Sequence, residues 1–256
     1  QLWEENETST PYCDEAYELY EQLDDRFYMS EVMLLQALNK RSQGKINEVY
    51  VMLNQILEIK LEINDLNGTG WVRFNLGIIA AQLRDYDTAL HNAKQGIEIM
   101  RRLKTMYGLV TFSNLLSWTA LIKGNLTETR DIAQRSLTWA KEKNYQMGIV
   151  QALTVLGTII GILEKDTEIA QEIVHTLRKA SQNVIAYATF PGQIELCLAM
   201  TALSLNDYET TKAEFVNCMK LFPPVYEPLF SMVVIFALKA LLDAYDGQPE
   251  QEIKWL

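Results

Sequence analysis

The sequence predicts an all-α chain, a solenoid of stacked helix hairpins, and three observations carry that prediction. Small residues recur at a fixed step: Ala37, Gly77, Ser117 and Gly157 stand 40 residues apart, and Ala199 and Ala240 continue the series after slips of two and one. Apolar residues within each segment suit helices buried on two sides, as at Leu34, Leu35 and Leu38 or Val150, Leu153, Val155 and Leu156. A stacked helix needs both sides, because it meets its hairpin partner and the next unit. Polar, helix-breaking pairs recur at one place in each unit: Gly44-Lys45, Arg84-Asp85, Gly124-Asn125, Lys165-Asp166 and Asn206-Asp207. A small residue at the closest helix crossing lets the axes approach, which explains two glycines kept inside helices at a cost of about 1 kcal/mol each.

Taken in order, residues 1–11 are polar, and Thr8-Ser9-Thr10-Pro11 gives a helix-start signal ahead of a periodic segment. That segment, 12–24, reads as the second helix of a truncated unit. Five hairpins follow over 30–64, 69–104, 107–143, 147–182 and 185–221, and a last, truncated one over 226–256. Asp85, Asn125, Asp166 and Asp207 suit the N-cap, where a short acceptor satisfies unpaired helix N–H groups. Longer linkers between units are expected at Asn64 to Thr69 and Lys143 to Gln146, accounting for the length of the period. Phe222-Pro223-Pro224-Val225-Tyr226-Glu227-Pro228 is the strongest interruption, since proline removes a donor and pushes the preceding residue out of the α region. Residues 1–256 thus form one repeat domain of about six antiparallel hairpins. It enters on half a repeat and ends on Trp255-Leu256, as expected of a piece of a longer chain, and uncapped ends suit an end-to-end homodimer.

Composition narrows the function classes. With 23 basic and 33 acidic residues, a net charge of -10 opposes direct binding to nucleic acid or an anionic membrane. The basic run Arg101-Arg102-Leu103-Lys104 falls at a helix C-terminus, where cations complement the helix dipole. Cys13, Cys197 and Cys218 lack the paired spacing of a zinc site, and their odd number argues against a disulfide framework, so a reducing, cytoplasmic setting is expected. No apolar run is long enough to span a membrane; the best, Leu229 to Leu242, is broken by Lys239. His91 and His175 fall two units apart, and no phosphate-cradling loop, zinc-protease or hydrolase motif occurs. The expectation is no catalysis, no metal and no cofactor.

One unit carries more: Leu76-Gly77 is followed nine residues later by Tyr86 and then by Ala89. This unit resembles a tetratricopeptide repeat, and weaker echoes run through Leu116-Ser117, Leu156-Gly157 and Leu198-Ala199. The resemblance implies a right-handed superhelix whose first helices line a concave groove. Mapped onto this chain, it implies a wall of Trp71, Phe74, Ile78 and Ala81, then Thr111, Asn114, Trp118 and Leu121, then Gln151, Thr154, Thr158 and Gly161. The residues expected to touch a ligand are Trp71, Phe74, Asn114, Trp118, Gln151, Thr154 and Thr158. Such an aromatic, polar and uncharged wall suits a peptide, a partner protein or a small polar effector. Trp71 and Trp118 fit inter-helix packing as well as they fit a wall. The Lys, Asn and Arg clamp of chaperone-binding relatives is absent, its places holding Phe74, Ile78, Thr111 and Leu115. The 40-residue units resemble the C-terminal sensor arrays of bacterial signal-transduction ATPases of the maltose-activator type, which implies a sensor domain of a larger transcriptional regulator. Cargo-adaptor scaffolds, peptide-pheromone receptors and the regulatory segment of an enzyme are the alternatives.

Overall fold

The computed structural model describes residues 5–163, 167–181 and 192–221, together with Leu238, Lys239 and Leu242. Among these residues eleven α-helices follow one another and no strand occurs. They are α1 (Glu5–Gln22), α2 (Arg26–Ser42), α3 (Ile46–Glu62), α4 (Leu66–Gln82), α5 (Tyr86–Leu103) and α6 (Met106–Ile122). The others are α7 (Leu126–Glu142), α8 (Gln146–Leu163), α9 (Thr167–Ser181), α10 (Gln193–Ser204) and α11 (Tyr208–Leu221). The chain divides into two compact units, Gln1–Leu115 and Leu116–Leu256, and the division falls within α6. Successive helices pack on each other: α1 to α5 in order in the first unit, and in the second α7 on α8, α8 on α9, with α10 against α8, α9 and α11.

One linker design produces this order. A residue with positive φ stands at Asp24, Gly44, Asn64, Arg84, Lys104, Gly124 and Asn144, every 20 residues, and again at Asn206. The left-handed conformation turns the chain so that the next N–H reaches back to an orphan carbonyl of the helix just ended. Lys45 N–H donates to Lys40 O at 3.1 Å, Asp65 to Lys60 O at 2.9 Å, Asp85 to Ala80 O at 2.8 Å and Asn125 to Ala120 O at 2.9 Å. The donor residue then opens the following helix. Asp25, Asp65, Asp85 and Asn125 each accept the N–H three residues on, so three linker residues close one helix and cap the next. The expected longer linkers are therefore absent: Ile63-Asn64-Asp65 and Lys143-Asn144-Tyr145 match the turns inside hairpins, and helices of 17 or 18 residues fill the period. The N-terminal boundary also differs. α1 starts before Thr8 and runs through Pro11, which removes one helical donor without ending the helix. Lys165-Asp166, the 222–228 interruption, Ala240 and the hairpin expected over 226–256 lie outside the described residues, apart from Leu238, Lys239 and Leu242.

The small-residue register marks the core. Ala37 and Ala199 are fully buried, Ser117 is 1% exposed, and Gly77 and Gly157 are buried. A Cβ on Gly77 would stand 2.8 Å from Leu115 Cδ2, and one on Gly157 would overlap Cys197 Sγ, so these helices cross where only hydrogen fits. A second register runs beside it: Gly68, Gly108 and Gly148, again 40 residues apart, near the start of α4, α6 and α8. Side chains from the end of the preceding helix fill the space they leave, Lys60 beside Gly68, Met100 beside Gly108 and Ala140 beside Gly148. In the first unit Met33, Ala37, Val49, Leu53, Ile56, Val72, Leu76 and Ile79 make a continuous core. Lys60 at its edge is fully buried: its Nζ pairs with Glu31, stands 2.9 Å from Asp65 Oδ2 and lies 4.4 Å from the centre of the Phe27 ring.

Candidate functional site

In the first unit α4 and the first part of α6 bring four rings together. Trp71 and Phe74 stand one helical turn apart, their centroids 5.9 Å apart in an edge-on pair. Trp71 meets Tyr107 at 5.4 Å and Phe112 at 6.1 Å, and Phe74 meets Phe112 edge-on at 5.3 Å. Of these contacts, the edge-on pairs at these separations match the ring quadrupoles. Phe112 is buried and occupies the space above Gly96, where a Cβ would overlap its ring, so the glycine on α5 makes room for the floor of the cluster. Trp71 and Phe74 remain half-buried and Tyr107 is 43% exposed. The rings therefore present an aromatic face to solvent.

Helical spacing places polar groups on the same side. Tyr107, Thr111 and Asn114 follow at steps of four and three, so they share one face of α6. Thr111 Oγ1 and Asn114 Oδ1 are buried without a hydrogen-bond partner. Each leaves unmet demand, since a buried polar atom without a partner costs about 1–3 kcal/mol. Of the residues expected from the sequence, Trp71 and Phe74 are in direct contact, and Asn114 lies on the helix that meets them. Tyr107 and Phe112 are not among those expected residues. Tyr107 was legible as one further turn of the face that holds Thr111 and Asn114; Phe112 carries no signal of its own.

The second unit places its expected residues differently. Trp118 is 4% exposed, Gln151 and Thr154 are 2% exposed and Thr158 is 1% exposed, so the chain's own side chains cover all four. Gln151, Thr154 and Thr158 form a row along α8. Thr158 Oγ1 donates to Thr154 O at 2.8 Å and Thr154 Oγ1 to Gln151 O at 2.7 Å, so the threonine hydrogens are spent on the helix's own carbonyls. The Gln151 carboxamide has no partner at either Nε2 or Oε1, and Trp118 Nε1 has none. Near the crossing at Gly157 stand Cys197, whose Sγ approaches Leu153 O at 3.4 Å, and Thr201.

Burial pushes the Cys197 and Cys218 thiols up to about 12, so at neutral pH both are protonated and poor nucleophiles. His91 on α5 and His175 on α9 are exposed. Among the described residues no group of three or more His, Cys, Asp or Glu side chains is placed to hold a metal ion, and no helix is long and apolar enough to cross a membrane.

No family model matches the chain, and no curated protein matches it significantly. Among solved structures, the crystal structure of BtubC (BKLC) from P. vanneervenii is similar, with a TM-score of 0.66. The match covers 84% of this chain and 90% of that one at 13% sequence identity. At that identity the likeness shows a shared helical fold and nothing about ligands.

Proposed function

We propose that the chain is a non-catalytic binding array of tetratricopeptide type, about six hairpins in a right-handed superhelix, that holds an extended peptide segment of a partner protein on its first helices. One observation carries the reading: in the first unit Trp71, Phe74 and Tyr107 form a partly exposed aromatic face on the helices that also hold the unpartnered Asn114 oxygen. Aromatic rings give large contact area at small entropic cost, and a carboxamide oxygen without a partner suits a peptide N–H donor. In a larger regulator such an array would act as the sensor by favouring one of two states, which requires the peptide to contact those states unequally. A cytoplasmic location and a role in signalling belong to this proposal.

The test is selection of a random, unstructured peptide library on the intact chain, followed by titration against Trp71→Ala and Asn114→Ala. Selected peptides are expected to lose about tenfold or more in affinity on Trp71→Ala, as for a hot-spot aromatic, and less on Asn114→Ala. Failure to select any peptide, or peptides indifferent to both substitutions, overturns the reading.

A further inference from the structure

We infer that the second unit holds a separate, interior site for a small uncharged molecule bearing an amide-like edge, built on the Gln151 carboxamide. A row of buried threonines is not by itself unusual, because each hydroxyl can satisfy its hydrogen on a carbonyl of its own helix, as Thr154 and Thr158 do. Gln151 has no such escape. Its amide carries two donors and an acceptor, none of them partnered, on a side chain that is 2% exposed. Leaving both ends bare costs more than one lost hydrogen bond, and an apolar residue of similar shape would avoid that cost. An adjacent donor and acceptor are matched by one complementary edge, found in a primary amide, a lactam or one side of a nucleobase. Val155, one helical turn on from Gln151, and Trp118 with its own bare indole N–H belong to the apolar core of this unit, so the rest of the ligand should be largely apolar. The site is distinct from the exposed ring face of the first unit, and its test leaves that reading untouched.

The probe is benzamide, with N,N-dimethylbenzamide as a control of similar body that cannot donate. Thermal melts of the full chain and of Gln151→Met are followed as each compound is raised through the millimolar range. The expected result is a concentration-dependent rise in Tm with benzamide alone, lost in Gln151→Met, whose own Tm is equal or higher. Equal shifts with both compounds, equal shifts in both proteins, or no shift overturn the site. A Gln151→Met chain that melts much lower also overturns it, since the amide must then already be satisfied by ordered water.

Discussion

Lys60 is the side chain whose burial asks most of its neighbours. It fills the place taken by Met100 and Ala140 in the next two units, yet carries a charge into full burial between Glu31 and Asp65, with the Phe27 ring alongside. Desolvation of an ion offsets much of the attraction it gains, so such a cluster contributes little net stability although breaking it from one side is costly. Lys60→Met is therefore expected to leave unfolding free energy within about 1 kcal/mol or to raise it, because the two carboxylates, one of them half-exposed, can hydrate. Asp65→Ala removes both an ion-pair partner and the α4 cap and should cost about 3 kcal/mol. Urea denaturation of the two variants decides; the reverse ranking contradicts this account of the cluster. Burial raises the Asp65 pKa, but hydrogen bonds from Lys60 and from the Gly68 N–H outweigh it and hold the carboxyl below its ordinary value.

The caps give a second handle at the level of the helix. The Asp85 carboxyl is held low by hydrogen bonds from the Thr88 hydroxyl and backbone N–H, and that of Asp207 by the same groups of Thr210. A folded-state pKa below the unfolded one means stability that is complete above the unfolded value and lost as pH falls through the folded value. The chain should thus lose stability below about pH 4. Asp85→Asn keeps a capping oxygen but cannot titrate, so its melting temperature should depend less on pH between 5 and about 3 than that of the parent. The linkers make a further prediction. Arg84 and Lys104 hold φ of 62° and 55°, where a side chain costs about 1–2 kcal/mol that glycine avoids. Arg84→Gly and Lys104→Gly should each stabilise by about 1 kcal/mol in denaturant titrations, less the added freedom glycine gives the unfolded chain. These elements also show what was legible in the sequence. Gly44, Arg84, Gly124 and Asn206 read as turns because polar residues there interrupt an apolar period, and the structure gives all four positive φ. The identical turns at Asn64 and Asn144 read as longer linkers because the 40-residue period leaves residues to place, and the structure places them in helices of 17 or 18 residues instead. At Pro11 a strong local breaker is outweighed by the helix around it.

At the scale of the molecule, the described residues form a run of helices in two compact units, with a fold like that of BtubC (BKLC). The tetratricopeptide resemblance implies Trp71, Phe74 and Asn114 on first helices, but a mapping by register does not separate a surface row from a buried one. Gln151, Thr154 and Thr158 have the spacing of a wall and the burial of a core, because covering by neighbouring side chains is a tertiary property that no single helix encodes. Peptide binding at the ring cluster is tested by residue-resolved NMR chemical-shift mapping of the chain with and without a selected peptide. Perturbation is expected to centre on Trp71, Phe74, Tyr107 and Asn114, with the exposed faces of α5 and α7 unchanged. Perturbation centred on α5 or α7 instead, with the ring cluster unchanged, would contradict it.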